Sequence, residues 1–364
     1  MARSKGVFAY SRAAGSEGLR SPDLRTEDDA VMVELKHQLV VVNGATLHVV
    51  EAGPASGPPV MLSHGFPDIW YTWRYQIPAL ADAGYHVICP DQRGYGESEC
   101  FDTVEAYGIQ HLTGDLLGLL DYFGHEQAVF VGHDWGALIV WGIARLHPGR
   151  AKAVLAMSVP LFSPPDPPIE HFTNAAGSDY YVVHLQQPGA ENDLGRTWGG
   201  DLRAMFRQVL VTPPPATPTI GQNPASGSPP ASPSSELPPW LSRADLDYYA
   251  ERFTKTGFFG GVSYYRNLDG NWRLMRDIPY DVMTMPIRFM TGTEDFVYNS
   301  PWNAVAGISD ATPAIDAMAR VLPDFRGAVF IEGAAHWNQQ ENAPDTNAAL
   351  LAFLDEVSPI DHEA

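Results

Sequence analysis

The stretch Val129-Phe130-Val131-Gly132-His133-Asp134-Trp135-Gly136-Ala137 runs from an apolar strand-like segment into an apolar-periodic, helix-like one, with a glycine two residues before and two after an aspartate. Small residues at those offsets permit a sharp strand-to-helix turn that presents one side chain at the edge of a sheet, the arrangement called a nucleophile elbow. The presented residue is usually serine, and here it is Asp134. Asp is also a favoured helix N-cap, so the nonapeptide alone fits a nucleophile and a cap equally.

Outward from this turn, short β-branched runs alternate with longer periodic ones, the pattern of strand-helix-strand units around a mostly parallel sheet. Eight strands are expected over residues 37–42, 46–51, 60–63, 86–90, 128–132, 153–158, 287–291 and 328–332, the first two joined as a hairpin by Asn43-Gly44. Helices are expected over 73–83, 104–123, 136–146, 311–322 and 344–357, covering the sheet faces. From Val159 to Pro279 the alternation stops, aromatics become dense, and helix-like segments such as 242–254 follow one another without strands. The organisation is therefore an α/β core in two parts, 35–158 and 280–364, with a helical cap at 159–279 and an N-terminal tail at 1–34. Within the cap, residues 213–239 hold ten prolines among Ala, Ser, Thr and Gly, a composition that buries too little apolar surface to offset ordering and reads as a surface loop.

The chain has 364 residues, 45% of them hydrophobic, enough for one large core and an inserted smaller unit. Its formal net charge of -20 repels nucleic acid and anionic membrane surfaces. No apolar run approaches the roughly 18 to 20 residues of a membrane span, and no compact secretory core stands at the N-terminus. A cytoplasmic protein is expected, with the Arg-, Ser- and Ala-rich residues 1–25 a faint targeting-like feature. The two cysteines, Cys89 and Cys100, form neither a CxxC pair nor a Cys/His cluster, so no disulfide framework or zinc site is expected.

A carboxylate in the nucleophile position changes the chemistry. Serine displacing a leaving group at saturated carbon would leave an ether, whereas a carboxylate leaves an ester whose carbonyl water can attack. Asp134 therefore selects epoxides or alkyl halides over carboxylic esters. Hydrolysis of that ester needs an oxyanion hole, for which this geometry offers the N–H of Trp135 and one from the loop after the third strand, His64-Gly65-Phe66-Pro67, namely Phe66. It also needs a general base, and imidazole suits that task near neutrality. Of twelve histidines, His336 in Gly333-Ala334-Ala335-His336-Trp337 directly follows the last strand, while His64 and His133 lie inside other motifs and read as structural. The orienting acid belongs after the preceding strand, where Glu294 and Asp295 stand side by side; Asp295, before the apolar Phe296-Val297, is the choice. If His336 must be neutral to work, turnover should decline below about pH 6.5, the ordinary imidazole value.

With HGFP, Trp70, Trp73, Asp91-Gln92-Arg93-Gly94-Tyr95-Gly96, GHDWG, GTEDF and AAHW in this order, the chain resembles the soluble, plant-type epoxide hydrolases of the α/β-hydrolase superfamily from about Leu35 to Val357. The cap segments Leu237-Pro238-Pro239-Trp240-Leu241-Ser242 and Thr256-Gly257-Phe258-Phe259-Gly260-Gly261-Val262-Ser263-Tyr264-Tyr265-Arg266-Asn267 look like theirs too. The resemblance implies two cap tyrosines that hydrogen-bond the epoxide oxygen, placed on Tyr181 and Tyr265, with Tyr180 and Tyr264 the adjacent alternatives. It implies a site lined by Phe66, Pro67, Trp135 and the tyrosines, a small lipophilic epoxide substrate, a monomer or homodimer, and no cofactor or metal. Gln187 departs from the family's usual Glu, and the Pro-rich insertion departs from its compact caps. Haloalkane dehalogenases share the Asp nucleophile and following Trp, but more often carry Asn where Phe66 stands. A non-catalytic, ligand-binding member of the fold is the third reading.

Overall fold

The computed structural model describes residues 33–196, 200–211, 236–299 and 313–360. The expected N-terminal tail to residue 32, the Pro-rich segment as far as residue 235 and residues 311 and 312 of an expected helix lie outside them. Eight strands form one sheet: β1 Lys36–Val42, β2 Ala45–Ala52, β3 Pro59–Ser63, β4 His86–Pro90, β5 Ala128–His133, β6 Ala151–Met157, β7 Ile287–Gly292 and β8 Phe325–Ile331. Their order is β1-β2-β4-β3-β5-β6-β7-β8. β2 runs antiparallel to both its neighbours, and from β4 onward every pairing is parallel.

Burial explains the strand sequences. All six residues of β5 are buried, as a central parallel strand covered on both faces requires, whereas edge strand β1 leaves Leu39 and Val41 exposed. Asn43 and Gly44 both take positive φ, 49° and 71°, which is the primed two-residue turn of a tight hairpin.

Around the sheet lie α1 Gln76–Asp82, α2 Ile109–Tyr122 and α3 Trp135–Leu146, then, after the cap, α11 Ala314–Val321, α12 Asn338–Glu341 and α13 Ala343–Val357. The helix expected over 73–83 is instead a 3-10 turn at Trp70–Trp73 followed by α1. Trp70, Tyr71, Thr72 and Trp73 are all buried, and four consecutive side chains cannot share one helix face. The helix expected over 104–123 is likewise split at Gly108, whose extended backbone (ψ 155°) ends a 3-10 turn and starts α2, with the Ile109 N–H donating to Asn271 Oδ1 at 2.9 Å.

Between β6 and β7 the described residues hold helices and no strand: α4 Pro168–Ala176, α5 Tyr181–His184, α6 Ala190–Arg196, α7 Leu202–Val211, α8 Arg243–Thr256, α9 Phe259–Arg266 and α10 Leu268–Met275. Ser242 starts α8 with a capping box: its hydroxyl accepts from Asp245 N at 3.2 Å while Asp245 Oδ2 accepts from Ser242 N at 2.6 Å. Buried polar bonds dock this cap on the core. Tyr71 donates to Asp245 Oδ1 (2.7 Å), Tyr249 to Asp68 Oδ1 (2.8 Å) and the Trp70 indole to the Tyr248 hydroxyl (3.0 Å). Among the described residues no helix is long and apolar enough to cross a membrane.

Candidate active site

Asp134 occupies the link between β5 and α3 with φ 54° and ψ -117°, a conformation that costs a non-glycine residue of order 1–3 kcal/mol. Neighbouring glycines make the turn possible. A Cβ on Gly132 would stand 2.1 Å from the Gly136 carbonyl oxygen, and one on Gly136 would stand 2.0 Å from the Ser63 oxygen. Gly136→Ala should therefore lower stability by about 1–3 kcal/mol through overpacking; an unchanged denaturant midpoint would show that the β3 end yields freely.

Asp134 sits at the N-cap position, yet its side chain makes no capping bond. Its Oδ1 instead accepts the Phe66 N–H at 2.7 Å, and Gly65 leaves room for the carboxylate, since a Cβ there would lie 2.4 Å from the Asp134 Cβ. Trp135 is the first residue of α3, so its N–H belongs to the set that a helix leaves without an internal partner. Phe66 brings one backbone donor to the carboxylate, the Trp135 N–H stands next to it in sequence as a free helix-start donor, and Pro67 is buried.

His336 lies across from it, in the loop between β8 and α12. Its Nε2 is 3.7 Å from Asp134 Oδ2, an ion-pair distance longer than a hydrogen bond, and its Nδ1 is 3.0 Å from Asp295 Oδ1. Asp295, fully buried after β7, also accepts from Val297 N (2.9 Å) and Thr291 Oγ1 (3.1 Å), while Glu294 faces solvent. Burial alone would strip the proton from His336, but the carboxylates of Asp295 and Asp134 outweigh it and hold the imidazolium up to about 10. Burial pushes both carboxyls up, and the His336 charge more than offsets this, leaving each below its ordinary value. The three side chains therefore form a buried anion-cation-anion array near neutrality.

The other motif histidines are framework. His64 Nδ1 donates to the Gly65 carbonyl (2.9 Å) and its Nε2 accepts from Gln92 N (3.0 Å), tying the Phe66 loop to the Asp91-Gln92-Arg93 turn. His133 Nε2 donates to the His336 carbonyl at 2.8 Å; burial, then the nearby imidazolium, lowers its pKa to about 4, so it stays neutral.

From the cap, Tyr181 at the start of α5 and Tyr265 near the end of α9 meet edge-to-face, with ring centroids 5.9 Å apart. Both feel the Asp134 charge, and burial first, then such neighbours, pushes both phenols well above their ordinary value. The Trp135 and Phe66 rings pack edge-on against Tyr265, at 5.0 and 5.5 Å between centroids. The adjacent alternatives are placed differently: Tyr264 donates to the Arg93 carbonyl at 3.0 Å, and the Tyr180 ring packs edge-on against Tyr181 at 4.7 Å. No group of three or more His, Cys, Asp or Glu side chains among the described residues is placed to hold a metal ion.

Residues 58–214 match the α/β-hydrolase fold family. Epoxide hydrolase A of Mycobacterium tuberculosis is 42% identical over 325 residues, 87% of this chain and 96% of its own length. Epoxide hydrolase 1 of Siraitia grosvenorii is 37% identical over 89% of this chain and 99% of its own. The chain belongs to the epoxide hydrolases of the α/β-hydrolase superfamily. Crystal structures agree: epoxide hydrolase A from Mycobacterium thermoresistibile superimposes with a TM-score of 0.78 at 39% identity, covering 89% of this chain and 99% of that one. An epoxide hydrolase from Vigna radiata does so at 0.78 and 37%, covering 89% and 98%. With relatives of this kind, the chain is a hydrolase of the plant-type group.

This epoxide hydrolase also uses residues that its sequence does not advertise. Ser158, just past β6 with φ 69°, donates to the His336 carbonyl at 3.1 Å, and its nearby hydroxyl helps hold the Asp295 carboxyl low. Asn338 supports it, donating to Ser158 Oγ at 3.2 Å. A serine at a strand end carries no pattern that sets it apart from other strand-end serines; only its positive φ marks it, and φ is not in the sequence.

Proposed function

We propose that the protein converts a small lipophilic epoxide to a vicinal diol through an ester on Asp134. The observation that carries this reading is the placement of Asp134 between a backbone donor, an imidazolium and two facing phenols.

Asp134, kept ionised by His336, attacks an epoxide carbon. As the ring C–O bond breaks, the developing alkoxide takes a proton from the Tyr181 and Tyr265 pair, giving a hydroxyalkyl ester. Loss of the Asp134 charge removes one of the two carboxylates that hold the proton on His336. That proton passes to the phenolate, restoring the tyrosine and leaving a neutral imidazole. His336, its Nδ1–H fixed by Asp295, then takes a proton from water, and the hydroxide adds to the ester carbonyl. Phe66 and Trp135 N–H groups face the oxyanion. Collapse frees the diol and returns the Asp134 carboxylate and the imidazolium, so the sum is epoxide plus water.

The dehalogenase reading needs an indole free to face a halide, whereas the Trp135 ring is covered edge-on by Tyr265, with centroids 5.0 Å apart. A non-catalytic member would have no reason to keep three buried charges, because an ion array of this kind costs several kcal/mol to desolvate.

A first turnover in 18O-water is the direct test. With styrene oxide in less than one equivalent, the diol should contain unlabelled oxygen and Asp134 should gain the label. Label in the first-turnover diol would mean direct attack by water and would end the ester scheme.

A further inference from the structure

We infer that Arg266 is a positioning residue, setting the separation of the tyrosine pair by strapping the segment that carries Tyr181 to the helix that carries Tyr265. This rests on the tyrosine reading of the preceding section.

The need for a strap comes from the local structure. Tyr181 begins α5, which is only four residues long, and a single turn is not stable by itself. Nothing within that turn can therefore define where the Tyr181 hydroxyl lies to a fraction of an ångström. Tyr265, by contrast, is buried in α9 and packed between the Trp135 and Phe66 rings. The fixed tyrosine is immediately followed by Arg266, and the loosely held one is followed, four to six residues on, by Leu185, Gln186 and Gln187.

Arg266 joins these two places. Its Nε donates to the Leu185 carbonyl at 3.1 Å, and its Nη2 donates to the Gln187 carbonyl at 2.7 Å and to Glu191 Oε2 at 2.7 Å. Gln186 forms the return strap, its Nε2 donating to Val182 O within the turn (3.0 Å) and to Tyr265 O in α9 (3.2 Å). Arg266 thus grips the backbone four and six residues past Tyr181, and Gln186 grips the backbone of Tyr265 itself. A planar guanidinium offers two donors on one edge in fixed geometry, which a lysine ammonium does not reproduce. The strap is largely shielded, with Arg266 and Glu191 side chains only 11% and 18% exposed, so water competes poorly for these bonds.

This arrangement also accounts for Gln187 standing where the family more often has Glu. Gln187 contributes its backbone carbonyl, and the carboxylate that neutralises Arg266 comes from Glu191 on α6, four residues on. The substitution leaves the strap intact.

A positioning role and a merely stabilising one part company in the kinetics. The tyrosines act on ring opening, whereas ester hydrolysis uses His336, Asp295 and the backbone donors. Single-turnover stopped-flow with styrene oxide, following tryptophan fluorescence, separates the two steps. Arg266→Lys and Arg266→Met should slow ester formation by about 10- to 100-fold, the usual penalty for misplacing a reacting group by about an ångström, while ester hydrolysis stays within about twofold. Glu191→Gln, which keeps both carbonyl bonds, should remain near wild type, and Gln186→Leu should slow ester formation alone. Circular dichroism melting checks that each variant is folded, and Gln186→Leu with Arg266→Lys carries the test if Arg266→Met does not fold. Slow ester formation in Tyr265→Phe together with normal rates in the folded Arg266 variants overturns the strap and leaves the tyrosine reading standing. Normal ester formation in both Tyr181→Phe and Tyr265→Phe overturns the tyrosine reading itself. Equal slowing of both steps in the Arg266 variants assigns Arg266 to general stability and overturns the proposal.

Discussion

A His336→Gln protein mixed with an epoxide is expected to gain the mass of that epoxide and keep it. Ester formation draws on the Asp134 carboxylate, the Phe66 N–H and the facing phenols, which the substitution leaves in place; loss of the His336 charge that keeps Asp134 ionised slows this step without removing it. Hydrolysis draws on a base, and glutamine is not one. Steady-state turnover should fall by about 10^3- to 10^4-fold, the upper part of the range for loss of a positioned general base. The fold should survive, because Asp295 keeps its bonds from Val297 N and Thr291 Oγ1 when the imidazole is gone. Intact mass spectrometry shows the adduct, and peptide mapping places it on Asp134. A folded His336→Gln protein that shows no adduct, or carries it on another residue, removes the two-step scheme.

Asp134, His336 and Asp295 were legible because each is tied to a backbone event that sequence patterns report: a strand-to-helix turn flanked by glycines, and the residues after the last two strands. Chain order then limits the choice to one imidazole and two carboxylates, and burial separates Asp295 from exposed Glu294. The tyrosine register is different in kind. Tyr264 and Tyr265 have the same composition and hydropathy, and only the phase of α9 distinguishes them, one helix step of about 100° turning Tyr264 toward the Arg93 carbonyl. Sequence fixes such a phase poorly when both neighbours are buried aromatics. The 3-10 turn at Trp70–Trp73 escaped for the same reason, since a run of buried aromatics has no period to read.

The expected decline of turnover below about pH 6.5 assumed an isolated imidazole, and here the structure requires a revision that Asp295→Asn can test. Two buried carboxylates hold the His336 proton up to about 10, with Asp295 the larger influence after burial. A raised pKa means the charged form is favoured, so the resting protein carries an imidazolium at neutral pH, and only esterification of Asp134 lowers the affinity for that proton. In the ester state Asp295 still opposes its loss. The rate of ester hydrolysis should therefore fall with decreasing pH from a limb set above the ordinary imidazole value, while ester formation, which needs Asp134 ionised and the phenols protonated, stays flat across neutrality.

Replacing Asp295 by Asn removes the charge that raises the imidazole and leaves burial as the dominant influence, so the acid limb of ester hydrolysis should move to lower pH. The plateau should fall at the same time, by about 10^2- to 10^4-fold, because an amide can turn its NH2 toward Nδ1 and favour the tautomer whose Nε2 carries the proton and cannot take one from water. A limb moving one way and a plateau moving down is a combination that simple loss of stability does not produce. An unmoved limb would mean that Asp295 does not hold the His336 proton. An unmoved plateau would mean that Ser158 and His133, through the His336 carbonyl, orient the ring without it.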